Sequence, residues 1–305
     1  MTLQKTVRDI KSLKIQGAKN IAVSAVKALS EHARSAKPKS AKGLIKELDF
    51  AKRMLFASRP TEPCMRNALN FVMNNVHGED LEHLRSVFHM NVKRCLDHLD
   101  SAGRLIAKIG ARKIRNGMVI FTHCHSSTVD SILLEAKKTG RRFEVHNTET
   151  RPRYQGRITA KELAKAGIPV EHYVDSAARL ALKKADMMLM GADAITSEAK
   201  VINKIGSELF AEAASLRDVP VYSCSDSWKF DPKTIFGYEE TIEKRKPAEI
   251  WKNPPKGVRI NNFAFESVDS DLITGIISEI GVYSPSLFIE EMKSKNKWIF
   301  KRLYF

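Results

Sequence analysis

No run of apolar residues in the 305-residue chain approaches the roughly 20 that a membrane-spanning helix needs, so no membrane partner is expected. Cysteine is scarce: Cys64, Cys95, Cys124 and Cys224 lie far apart and form no CxxC pair. That pattern argues against a disulfide framework or a thiolate zinc cluster and favours a reducing, cytoplasmic setting. Aromatic residues make up 8% of the chain, and no stretch interleaves them with basic residues as RNA-binding sheets do. A specific nucleic-acid partner is therefore not expected. The opening residues, MTLQKTVRDIKSLKIQGAKN, mix charged and apolar residues at helical spacing and lack an apolar h-region, so a secretory leader is not expected either. No internal repeat is visible.

What the chain has is positive charge. Lys and Arg number 51 against 35 Asp and Glu, a formal net charge of +16. Such an excess attracts polyanions, whether nucleic acid or phosphorylated small molecules. The basic residues are scattered, so most of them read as solvated surface. With 43% hydrophobic residues, this length can bury a sizeable core and hold two domains.

The rhythm of the sequence changes near residue 115. Residues 1–114 read as a helical N-terminal domain. IQGAKNIAVSAVKALSEHARS, AKGLIKELDFAKRMLFAS and EPCMRNALNFVMNNV are followed by a long segment over 80–114 with apolar residues every three or four positions. Ser40 and Asp80 are placed to cap two of these helices, Pro60 and Pro63 break the chain between helices, and KPKSAKG at 37–43 is the most linker-like piece. Residues 115–305 read as a Rossmann-like α/β domain. Short apolar runs (GMVIFTH, FEVHNT, VEHYVD, MMLMGAD, VPVYSCS) alternate with helical segments, which predicts right-handed crossovers and a mainly parallel sheet. Ligands of such sheets bind beyond the C-terminal strand ends.

Cys124, in FTHCHSST, stands at one such end. It is either a nucleophile or proton acceptor, its thiol pKa lowered by a helix N-terminus, or a packed structural cysteine; Cys224 fits the packed role. His123 and His125 are two residues apart, which on a strand faces both the same way. They lack a third ligand nearby and read as polar lining of a pocket mouth rather than a metal pair. Asp193, after MMLMGA, either caps the next helix or works as an acid or base. In VINKIGSELF, Asn203 and Lys204 enter a helix behind a glycine, an arrangement that holds phosphate or leaves Lys204 solvated. Arg151 and Arg153 can clamp an anion or pair with surface carboxylates.

Taken in order, QGAKNIA, SRPTEP, HCHSST, TETRPRYQG, VDSAA, GADAIT, INKIGS and the lysine of SWKF resemble one family along nearly the whole chain. That family unites the ribose-1,5-bisphosphate and methylthioribose-1-phosphate isomerases with the regulatory subunits of the translation-initiation exchange factor. The regulatory subunits typically lack the cysteine and aspartate that Cys124 and Asp193 match, and HCHSST is closer to the ribose-bisphosphate branch. The resemblance thus implies isomerisation of ribose 1,5-bisphosphate to ribulose 1,5-bisphosphate in nucleotide (AMP) salvage, with Cys124 as proton acceptor and Asp193 as proton donor. The alternatives are a methylthioribose-1-phosphate isomerase, or a regulatory protein of translation initiation sensing nucleotide or sugar phosphate. The implied substrate contacts are Gln16, Gly17, Ala18, Lys19, Arg59, Ser126, Ser127, Thr128, Asn203, Lys204 and Lys229. Neither a metal nor an organic cofactor is implied, and a homo-oligomer, dimer or hexamer, is. Three positions depart from the pattern: Gln16 replaces an arginine, Asp226 replaces a glutamate, and the segment over 261–272 lacks the expected prolines.

Overall fold

The computed structural model describes residues 2–301. Five helices come first: α1 (Leu3–Lys11), α2 (Ala18–Ala36), α3 (Ala41–Phe56), α4 (Pro63–Val72) and α5 (Leu81–Ala111). Their starts follow local chemistry. The Ser40 hydroxyl accepts from the Gly43 amide ahead of α3, and the Asp80 carboxylate accepts from the Glu82 and His83 amides ahead of α5. Pro63 occupies the first turn of α4, where its missing N–H costs nothing. The apolar stripes of these helices, including Ile21, Leu29, Leu48, Leu69 and Leu99, close on one another in a single cluster.

The chain then alternates strands and helices: β1 (Val119–Thr122), α6 (Ser127–Lys138), β2 (Glu144–Thr148), α7 (Gly156–Lys165), β3 (Val170–Tyr173), α8 (Ala178–Leu182) and β4 (Met187–Met190). After β5 (Ala194–Ile195) and β6 (Val201–Lys204) come α9 (Ser207–Ser215) and β7 (Val221–Cys224). Last are β8 (Phe265–Val268), β9 (Gly275–Ser278), β10 (Gly281–Tyr283), α10 (Pro285–Lys295) and α11 (Trp298–Lys301). Seven strands form one sheet in the order β10-β9-β7-β4-β1-β2-β3, parallel except for β10. From β1 the chain winds outward through β2 and β3, then returns to β4 and winds the other way. The switch point therefore lies between β1 and β4, where a crevice opens beyond the strand ends.

A second sheet of three antiparallel strands, β5-β6-β8, was not foreseen. It changes the reading of Asn203 and Lys204, which lie on β6 and not in the entry to a helix; α9 starts only after Gly206. The run Val201-Ile202-Asn203-Lys204 is too short to show a strand period that outweighs the glycine and helix-forming residues behind it.

Two features tie the helical layer to the sheet. Trp228 belongs to the helical cluster and stacks on His98 of α5, ring centroids 4.0 Å apart. The Asn67 amide on α4 donates to the carbonyls of Trp228 and Phe230 at 2.8 and 2.7 Å. Helix α5 serves both layers, because Leu84 to Leu99 pack among the helices while Ile106 and Ala111 pack against α6 and the sheet.

Candidate active site

A cavity of about 390 Å³ sits at the β1/β4 switch point, within the usual range for small-molecule sites. Every residue that the family resemblance implies for catalysis or substrate contact borders it: Cys124 and Asp193, Gln16 to Lys19, Arg59, Ser126 to Thr128, Asn203, Lys204 and Lys229. They come from the start of α2, the turn before α4, the β1–α6 turn, the segment after β4, strand β6 and the loop after β7.

Cys124 lies two residues past β1 with φ +69°, a left-handed conformation uncommon outside glycine. Its amide donates to the Thr150 hydroxyl at 2.9 Å, and its thiol is largely buried. Burial pushes that thiol up to about 11, opposed by the Lys204 ammonium and the His125 amide and assisted by Asp193 and Asp175. A lowered thiol pKa was the expectation from the adjoining helix start. Desolvation wins here, because the thiol is buried short of the helix, whose first turn is capped by Ser126 accepting from the Val129 amide.

The two flanking histidines turn to different partners. His123 Nε2 faces the Ile205 carbonyl at 2.9 Å; since a carbonyl only accepts, Nε2 carries the hydrogen and Nδ1 accepts from Thr148 at 2.6 Å. Burial holds His123 down at about 4, so it is neutral. His125 lies at the cavity wall with Nδ1 3.0 Å from Asp130, which raises its pKa. The left-handed turn at Cys124 breaks the two-residue alternation that would have paired them.

Asp193 is held by its amide, which donates to the Ile202 carbonyl at 2.8 Å and so ties the end of the β4 segment to β6. Gly191 lets the β1–α6 turn lie close to this segment: a Cβ there would meet the Ser126 hydroxyl at 2.8 Å. Asn203 donates to Ser207 at 2.9 Å, Lys204 lies over the Phe265 ring, and Lys229 is buried with its ammonium donating to the Ala192 carbonyl at 2.6 Å.

Anion-binding groups ring the cavity. The 19-residue helix α2 starts at Gly17 with no side-chain cap, so its first amides and positive dipole end face the cavity, where α6 also begins. Lys19, Arg59, Lys204 and Lys229 add charge, and Arg245 adds more. Arg245 was missed, as was Phe265. Phe265 opens the short strand β8, and Arg245 lies on a segment without helical or strand periodicity, its amide donating to the Asn262 carbonyl. Glu243 bridges Arg59 (3.2 Å) and Arg245 (2.9 Å). Gln16 borders the cavity while its amide donates to the Leu13 carbonyl at 2.6 Å, and Asp226 borders it while pairing with His98 at 3.3 Å. Arg151 and Arg153 are not among the lining residues; Arg153 pairs with Glu249 at 3.7 Å.

Ribose 1,5-bisphosphate isomerase of Pyrococcus furiosus is 39% identical over 302 residues, spanning 96% of this chain and 93% of that protein. The protein of the same name from Thermococcus kodakarensis is 39% identical, spanning 96% and 94%. Among solved structures, a translation initiation factor eIF-2B of Pyrococcus horikoshii superposes with a TM-score of 0.81 at 28% identity, covering 94% of this chain and 98% of that one. The model of the Initiation factor 2 subunit family matches residues 14–285, and the chain belongs to that family.

Proposed function

We propose that the protein isomerises ribose 1,5-bisphosphate to ribulose 1,5-bisphosphate. The observation that carries this reading is the meeting of Cys124 and Asp193 in a cavity ringed by five cations and two helix starts. Cations drawn from separate elements of the wall suit a ligand with two phosphates, and the naming of the archaeal relatives supports the same substrate.

The chemistry follows from the two side chains. Asp193, protonated, gives its proton to the ring oxygen as the C1–O bond breaks. Cys124, as thiolate, takes the C2 proton, and a C1–C2 enol forms. Asp193 then takes the proton from the C2 hydroxyl as that carbon becomes a carbonyl, and the Cys124 thiol returns its proton to C1. Both groups finish as they began, and no electrons leave the sugar. Lys204 beside the thiol favours the thiolate at the moment of transfer, against the burial that raises its pKa. Gln16, Gly17, Ala18 and Lys19 bind one phosphate in this reading, helped by Arg59. Ser126, Ser127, Thr128, Asn203, Lys204 and Lys229 hold the sugar and the other phosphate.

Residues 1–114 and 115–305 act as the two domains that close on the substrate, and nucleotide salvage in the cytoplasm is the setting. The working form is a homo-oligomer, dimer or hexamer; α8 and α9 pack together and expose Leu180, Leu209 and Leu216, which a partner copy would cover. Sedimentation at micromolar concentration is expected to give a species larger than the 34.4 kDa chain. Among the described residues, no helix is long and apolar enough to cross a membrane. The test of activity is incubation with ribose 1,5-bisphosphate, ribose 5-phosphate and methylthioribose 1-phosphate. Turnover of the bisphosphate far above the other two is expected; equal turnover of the two ribose phosphates, or preference for the methylthio sugar, rejects it.

A further inference from the structure

Glu62 precedes α4 and is buried, with Oε2 3.7 Å from Arg59 Nε and with Oε1 lacking any hydrogen-bond partner. Beside it lies a chamber of about 10 Å³ whose polar walls include Arg59, Glu62, Asp193 and Glu240. That is room for about one water. Asp193 and Arg59 border both this chamber and the larger cavity. Asp193 thus borders both the sugar site and a small space that Glu62 also lines, close enough to act on Glu62 electrostatically.

A carboxyl that opens the sugar ring must carry a proton while the thiol beside it is ionised. In the resting protein the thiol, pushed up to about 11, keeps its own proton. The thiol gives that proton to solvent when it ionises, so the proton on Asp193 has to come from another group close by. Burial, assisted by Asp193, pushes Glu62 up to about 7 against the pull of Arg59, Lys229 and Arg66. The other ionisable groups around it are Glu243, paired with Arg59, Glu240, paired with Arg66, and the Cys64 thiol.

We propose that Glu62 is the positioning residue that supplies Asp193 with its proton, the two carboxyls sharing one proton through a water in the chamber. The proposal rests on the isomerase reading above and deepens it. Glu62 gives a proton to the water as the water gives one to Asp193, leaving Glu62 ionised next to Arg59. When Asp193 takes up the C2 hydroxyl proton, the same path runs in reverse. Glu62 touches no sugar atom.

The test is kcat/KM against pH, from pH 5.5 to 9, for the wild type, Glu62→Gln and Glu62→Asp. In the wild type the rate is expected to climb with pH to about 7 and then level off. Above that point each gain in thiolate is cancelled by an equal loss of the shared proton. Any bend from the substrate's phosphates, near pH 6, is common to all three proteins. Glu62→Gln holds no such proton, so the bend near 7 should vanish and the rate at pH 7 should fall roughly tenfold or more, with KM little changed. A uniformly slower Glu62→Gln that keeps the bend in place overturns the proposal, since that is what a structural role gives. Should Glu62→Gln not fold, Glu62→Asp decides: a displaced bend supports the proposal and an unmoved one overturns it. A wild type that turns over the bisphosphate while the bend stays fixed in the variants sinks Glu62 alone. A wild type without turnover sinks the isomerase reading and this proposal with it.

Discussion

Cys124 and Cys224 each stand where an apolar run gives way to small polar residues, HCHSST in one case and SCSDS in the other. Both thiols are buried, and burial raises the pKa of both. Their surroundings differ. Cys224 ends β7, belongs to the cluster of Ile106, Ile132 and Ile277, donates to the Tyr222 carbonyl at 3.9 Å, and has Lys229 alone among charged groups acting on it. Cys124 has left its strand through a left-handed residue and borders the cavity with Lys204 and Asp193 acting on it. Position in the sheet makes the difference: β1 flanks the switch point, whereas β7 lies one strand further out, beyond β4. A cysteine at a strand end acquires chemistry when the next turn opens into the crevice.

The largest effect that separates the two halves of this comparison is expected from Asp193→Asn. It keeps the size of the side chain and removes the proton carrier, so turnover should fall by about 10²–10⁴ with substrate still bound. Cys224→Ser should leave turnover nearly intact and lower the thermal midpoint instead, by burying a hydroxyl where only an apolar group packs, a cost of about 1–3 kcal/mol. Substrate affinity and unfolding of the two variants check both expectations; a Cys224→Ser protein that is stable but inactive breaks the contrast.

A smaller effect is expected at the cavity wall. Lys204→Ala removes one charge-assisted contact, worth about 1.5–3 kcal/mol, and should appear mainly as weaker binding in calorimetry. Unchanged affinity would return Lys204 to the role of a cation lying over Phe265. The smallest effect is on thiol reactivity without substrate. With the Cys124 thiol at about 11, alkylation should rise close to tenfold per pH unit between pH 7 and 10. Bound sugar bisphosphate should protect it. A rate already level at pH 7 would mean a thiolate in the resting protein.

Much of this was legible in the sequence, and the reasons are local. The helices over 18–111 are long and periodic, and the parallel strands are short apolar runs bounded by polar turns, so period and length identify both. The Cys124 and Asp193 strand ends could be placed at the crevice because winding order fixes where a doubly wound sheet opens. Lys204 on β6 was not legible, since four residues carry too little period. Arg245 and Glu62 were not either. Each gains its meaning from partners distant in the chain, Glu243 bridging Arg59 to Arg245 and Asp193 lining the small chamber together with Glu62.

The central claim is that Cys124 moves the C2 proton, and a single-turnover measurement on Cys124→Ser tests it most directly. A hydroxyl is a far weaker base near neutral pH than a thiolate. No phosphate-binding cation is lost, so the variant should bind ribose 1,5-bisphosphate with near wild-type affinity and form no ribulose 1,5-bisphosphate. Near wild-type turnover by Cys124→Ser would contradict the account, leaving FTHCHSST with only a well-packed cysteine.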